Sequence, residues 1–190
     1  FYQSEYAQYW QDAMFDNPEL ESFQPDLIFI HTTSRNISEA PLPLSASEQE
    51  VRDALERQFS HFSQMWERLH EVYHCPIIQN NFELPSTRLM GNRDAWDCHG
   101  MVWFIQELNR KFGQYAASHS DFYLHDLHYL AASYGLDAWH DDSYWYLYKY
   151  AMTLDAVPEL AYSLTRIIRS IYGKNKKVLA LDLDNTLWGG

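Results

Sequence analysis

The sequence predicts an α/β domain built on a parallel sheet with helices on both faces. Three observations carry that reading. Short apolar segments of strand length occur at Leu27–Ile30, Pro76–Ile78 and Phe122–Leu124. Long stretches with helical spacing of apolar residues separate them. Strands that alternate with helices are joined by right-handed crossovers, which makes the strands parallel and covers the sheet on both sides.

The elements follow in order. Phe1 to Phe15 reads as helix, so the first strand of the sheet is expected to be missing, and both ends of the 190-residue chain are expected to be cut from something longer. From Ser47 to Tyr73 the apolar residues Val51, Leu55, Phe59, Phe62, Met65, Trp66, Leu69 and Val72 recur at helical spacing, with Ser47 and Glu50 as a capping box. Met101, Ile105, Leu108, Phe112 and Tyr115 mark a second amphipathic helix. A third carries Val157, Leu160, Ala161, Leu164, Ile167, Ile168 and Ile171, with Pro158 in its first turn and Gly173 to end it. Lys176 and Lys177 then lead into Val178–Leu183, a fourth strand assigned to a following domain. The expected division is residues 1–173 as one α/β domain and 174–190 as a hinge and the start of the next.

The formal charge of −12 excludes a phosphate-tracking nucleic-acid surface, which needs clustered Lys and Arg. The basic groups Arg166, Arg169, Lys174, Lys176 and Lys177 read as a solvated helix end and hinge. No apolar run approaches membrane-spanning length and no signal-peptide pattern opens the chain. Cys75 and Cys98 are too few for a disulfide framework and lack metal-ligand spacing, so free thiols and a cytoplasmic setting are expected.

The closing residues carry the most specific chemistry. Val178–Leu181 is an apolar strand that runs into Asp182-Leu-Asp184-Asn-Thr186-Leu. Two carboxylates two residues apart on a strand point to one face, repel each other, and call for a divalent cation or a shared proton. That is the pattern of a phosphoryl-transfer aspartate: Asp182 attacks phosphorus and binds Mg2+, while Asp184 protonates the leaving group.

Upstream, ligands of parallel sheets bind beyond the carboxyl ends of the strands. His31–Asn36 follows the first strand, Asn80 and Asn81 the second, and Asp126 and His128 the third, so these segments are expected to converge on one cleft. Asp137 and His140 stand three residues apart after the last strand, as an acid–base pair or as a structural Asp with a surface His. Ser34 lies in the right kind of loop for a nucleophile but has no elbow sequence around it. His125 and His128 have helical spacing without a third metal ligand. The run Tyr144–Tyr150 reads as packing against the sheet rather than as a sugar- or base-stacking surface.

At Leu181-Asp-Leu-Asp-Asn-Thr-Leu-Trp-Gly-Gly190 the chain resembles the haloacid-dehalogenase (HAD) superfamily, and within it the FkbH-like, subclass IIIC branch. Ile77–Pro85, Trp139–Asp141 and the Tyr144–Tyr150 run also resemble that branch, so the likeness spans essentially the whole chain. It implies a three-layer SGNH-hydrolase-like, flavodoxin-like sheet followed by the first strand of a Rossmann-like HAD domain. It further implies Asp182 as nucleophile through an aspartyl-phosphate, Asp184 as general acid/base, and Thr186 at the hydroxyl position of the motif. Mg2+ would be held by the Asp182 carboxylate and the Asp184 carbonyl. Asn36 matches an oxyanion Asn, and Asp137 with His140 matches the closing DxxH of the SGNH pattern. The resemblance implies a small phosphorylated metabolite as substrate and an acyl carrier protein as partner. Because the later HAD elements are absent from these residues, the chain alone is expected not to turn over phosphate esters. The alternatives are an SGNH-type esterase or acyltransferase, and a non-catalytic docking module.

Overall fold

A computed structural model describes residues 1–174. Its sheet has three parallel strands in the order β1 (Ile28–Ile30), β2 (Ile77–Asn80) and β3 (Phe122–His125). Ile28 registers with Ile77, and Ile77 with Phe122; at the carboxyl edge Asn80 stands beside His125. The strands fall where the apolar segments placed them. In chain order the α-helices are α1 (Tyr9–Met14), α2 (Pro18–Phe23), α3 (Glu48–Tyr73), α4 (Met101–Ser118), α5 (Leu127–Tyr134), α6 (Leu136–Trp139), α7 (Asp142–Tyr148) and α8 (Val157–Ile171).

Alternation along β2 and β3 assigns the helices to faces. Gln79 points to the side of α3, where its Oε1 accepts from Trp66 Nε1 at 3.1 Å. His125, one residue past the Gln79 level, points to the opposite side, where its Nε2 meets Ser163 Oγ of α8 at 2.9 Å. Helices therefore lie on both faces, as crossover logic requires. The core sits on the α3 side, with Trp66 at 0% exposure and ring centroids 4.6–4.7 Å from Phe112, Tyr115 and Phe122. Aromatic pairs at such separations add about 0.5–1.5 kcal/mol each beyond their buried area.

The capping signals hold at atomic level. Ser47 Oγ accepts from Glu50 N–H while Glu50 Oε2 accepts from Ser47 N–H and O–H. At the other end of α3, His74 ends the helix at φ 50, and Gly173 ends α8 at φ 64. The start of α4 is fixed by buried Asp94, whose carboxylate accepts from Val102 N–H at 2.7 Å and Met90 N–H at 3.1 Å. Gly100 then passes so close that a Cβ there would lie 2.3 Å from the Asp94 carbonyl oxygen and 2.6 Å from its Cα. Backbone cannot retreat as a side-chain tip can. Gly100→Ala is therefore expected to lose about 2–3 kcal/mol of unfolding free energy, read by urea titration.

Two expectations are corrected. Phe1 to Phe15 is not one helix: residues 1–8 are non-helical, Ala7 takes φ 60, and only Tyr9–Met14 is helical. A single short helix gains too little from propensity alone, and here Tyr2 and Asn17 tie Asp12 into a surface knot instead. The aromatic run Tyr144–Tyr150 does not pack against the sheet. Helix α7 buries no residue, and Tyr144, Tyr148 and Tyr150 cluster on the surface with centroids 5.6–6.1 Å apart. Helix α8 has the predicted bounds and one apolar stripe, yet none of its residues is buried.

Candidate functional site

The carboxyl ends of the three strands are laced together by side chains that sequence reasoning partly foresaw. Asn80 spans β1 and β2: its Nδ2 donates to the Thr32 carbonyl at 2.6 Å, and its Oδ1 accepts from Thr32 N–H at 2.9 Å. Asn81 ties in β3, donating to Asp126 Oδ1 at 2.8 Å and accepting from His128 N–H at 2.8 Å. Asn109 of α4 grips Phe82, accepting from its N–H and donating to its carbonyl, both at 2.8 Å. Asn109 also donates to His128 Nδ1 at 3.2 Å, so His128 and His125 face different partners rather than one metal. The loops after β1, β2 and β3 do meet, through hydrogen bonds.

At the centre of this edge is Glu83, which the sequence reading passed over. Its side chain is 2% exposed. Oε1 accepts from Ser34 N–H at 3.0 Å and from Ser34 Oγ–H at 2.9 Å, while Oε2 is buried without a partner among the described residues. Burial pushes its carboxyl up to about 7, against the pull of the Ser34 bonds and of Arg35. A lone acid between Phe82 and Leu84, just past a strand buried along its whole length, was the signal available.

His31 is the second anomaly. Both its ring nitrogens are buried without partners among the described residues, as is Nδ1 of His125. Asn80 lies close enough to favour the charged form, although no hydrogen bond of ordinary geometry joins it to the His31 ring. Burial dominates, the His125 ring adds in the same direction, and His31 is held down to about 4. Burial likewise lowers His125. The strand ends therefore carry a neutral imidazole and a carboxyl that gives up its proton near neutrality.

No hydrogen bond among the described residues joins the residues named from the SGNH pattern to one another. Asn36 Oδ1 accepts from Thr33 N–H at 2.9 Å, closing a capping box over the turn Ser34–Asn36. Asp137 is exposed in the four-residue α6, and no hydrogen bond among the described residues joins it to His140. His140 instead donates from Nε2 to the Leu84 carbonyl at 2.9 Å. Arg35 leaves the edge for the surface, pairing with Asp142 at 2.8 Å and lying 4.4 Å from the Trp145 ring. Ser34 Oγ–H donates to a carboxylate, and among the described residues no hydrogen bond joins it to an imidazole. Asp182, Asp184 and Thr186 lie outside the described residues.

This is a parallel α/β domain whose strand-end network is assembled as a tie between loops. The FkbH N-terminal domain family matches residues 1–169, and the chain belongs to that family. No curated protein matches it. Among solved structures it is similar to the crystal structure of the N-terminal part of a Bacteroides fragilis protein containing a phosphatase domain, complexed with Mg. That likeness has a TM-score of 0.82 at 23% identity, and covers 100% of this chain and 49% of the other. The chain thus spans about half of that relative, and the likeness establishes the fold.

Proposed function

We propose that this chain is the N-terminal portion of an FkbH-like, Mg2+-dependent HAD-type phosphatase or phosphoglyceryl transferase, with its catalytic nucleophile at Asp182. The observation that carries the reading is the apolar run Val178–Leu181 delivering Asp182-x-Asp184-x-Thr186 in a chain that belongs to the FkbH N-terminal domain family. The structural relative's own phosphatase domain and bound Mg add support. The donor set of hard carboxylate and carbonyl oxygens suits Mg2+, which when bound would neutralise charge on the phosphoryl oxygens.

The chemistry assigned to the chain's own groups is short. An Asp182 carboxylate oxygen attacks phosphorus, the bond to the leaving oxygen breaks, and Asp184 gives that oxygen its proton. Asp184 then takes a proton from water as the water attacks the aspartyl-phosphate, releasing phosphate and restoring Asp182. Thr186 contacts the phosphoryl group. For a glyceryl-transferring relative, the thiol of an acyl carrier protein would attack the carbonyl of a glyceryl acyl phosphate, forming the thioester as phosphate leaves.

Residues 1–173 then form a supporting domain, the docking-module alternative rather than the esterase one. The observations behind it are exposed Asp137, His140 committed to the Leu84 carbonyl, and Asn36 committed to its own turn. An esterase site on that domain would need these three to rearrange. In the parent enzyme, Asp182→Asn is expected to lower Mg2+-dependent phosphate release from a phosphorylated small-molecule substrate by at least about a thousandfold. Undiminished release would remove the proposal. The chain of 190 residues assayed alone is expected to give no turnover.

A further inference from the structure

Asp97, Cys98 and His99 are three successive residues in the loop between the turn Gly91–Ala95 and α4. Among the described residues, one ligand atom from each lies within 4.8 Å of the other two. The reading of cysteine spacing gave no metal site, because it asks for a second cysteine or a distant histidine; here the chain folds three neighbours onto one point.

The geometry within the cluster is specific. His99 donates from Nε2 to the Ala46 carbonyl at 2.9 Å, which fixes the ring and turns Nδ1 toward Asp97 and Cys98. A backbone carbonyl on the far nitrogen is the arrangement that orients metal-binding imidazoles. Cys98 Sγ stands 3.6 Å from that Nδ1. Zn–S and Zn–N bonds of about 2.3 and 2.0 Å at a tetrahedral angle put sulfur and nitrogen about 3.6 Å apart. Asp97 Oδ1 is 2.8 Å from Nδ1, a hydrogen-bond distance, and would open to about 3.3 Å around such an ion. Arg93 pairs with the other Asp97 oxygen and steadies the carboxylate. Cys98 is partly exposed, so an ion has access.

We propose that Asp97, Cys98 and His99 bind a thiophilic divalent cation, Zn2+ fitting best, with a fourth position left to water. Mixed sulfur, nitrogen and oxygen donors favour Zn2+ over Mg2+, which separates this site from the all-oxygen set at Asp182 and Asp184. Binding displaces the thiol proton and the proton shared between His99 and Asp97, so uptake releases protons. The ion would replace the hydrogen bond between His99 and Asp97 and leave the His99 tie to Ala46 in place.

The test uses the full 190-residue chain, reduced, with Co2+ as the spectroscopic probe and Zn2+ as competitor. One equivalent of Co2+ is expected to give thiolate-to-metal charge-transfer absorption in the near ultraviolet, bleached by Zn2+. Cys98→Ser is expected to abolish the band, Cys75→Ser to leave it intact, and Asp97→Asn to weaken Co2+ binding by at least about tenfold. In the unsubstituted protein, Zn2+ is expected to slow alkylation of Cys98 by iodoacetamide by at least about tenfold. Co2+ binding without a thiolate band, a band that survives Cys98→Ser or vanishes with Cys75→Ser, or alkylation indifferent to Zn2+ would each overturn the site.

Discussion

Glu83→Gln is expected to gain about 3 kcal/mol of stability relative to the unsubstituted protein as pH rises from about 4.5 to about 7. The cause is the cost of ionising a carboxyl that is 2% exposed and leaves Oε2 unpartnered. In the folded chain that group loses its proton near 7, against an ordinary value of 4.5. Between those values the folded state holds a proton that the unfolded state has released, so unfolding free energy falls as pH rises. Below 4.5 both states are protonated and above 7 both are ionised, so the dependence is confined to that window. Glutamine retains an oxygen to accept from the Ser34 N–H and Oγ–H, and it cannot titrate. Any fixed cost of burying its amide shifts the whole curve without tilting it. The measurement is urea unfolding of both proteins at several pH values, with the difference plotted. A flat difference would show that Glu83 is solvated in solution, and that the strand-end network is open to water.

That outcome bears on what the strand ends do. Glu83 holds the turn Ser34–Asn36 through Ser34, while Asn80 holds the start of the same loop through Thr32. Ionising Glu83 strengthens its two bonds to Ser34 but leaves a buried charge with one naked oxygen. The carboxyl therefore trades loop anchoring against global stability near neutral pH. In a domain proposed to support a neighbour rather than to catalyse, such a residue makes the anchoring of the Ser34–Asn36 turn depend on pH.

Much of the fold was legible because it rests on periodicity. The 26-residue α3 repeats its apolar face over seven turns, and its capping box is spelled out by Ser47 and Glu50. The three strands were short apolar runs bounded by loop residues, and alternation with helices dictated their parallel sense. Elements stabilised by local ties were not legible. Helix α2 depends on Asn17 capping Leu20 ahead of Pro18, and the failure of Phe1–Phe15 to form one helix depends on a positive φ at Ala7. The site was harder still. Asp137 and His140 have spacing that suits an acid–base pair, but a one-turn helix buries Trp139 between them and leaves Asp137 in solvent. Glu83 and His31 gain their properties from what surrounds them, and a linear pattern of residue types does not state which polar atom ends without a partner.

His31→Leu tests the opposite half of the same network and is expected to show the opposite slope. Burial, with the His125 ring adding to it, holds His31 down to about 4 from an ordinary 6.5. Between those values the unfolded chain carries the proton and the folded chain does not, so acid favours unfolding. The substituted protein should gain about 3 kcal/mol over the unsubstituted one as pH falls from about 6.5 to about 4. Leucine also removes two buried nitrogens that have no partner among the described residues, which favours it at every pH. The two windows overlap between about 4.5 and 6.5, where Glu83 makes the protein less stable with rising pH and His31 makes it more stable by a similar amount. Their contributions cancel there, and each single substitution uncovers the other. In Glu83→Gln the His31 contribution rises with pH unopposed; in His31→Leu the Glu83 contribution falls with pH unopposed. The double variant should lose both slopes, and its difference curve should equal the sum of the two singles if the groups act independently. A departure of the double variant's difference curve from that sum would identify direct coupling across the ends of β1 and β2.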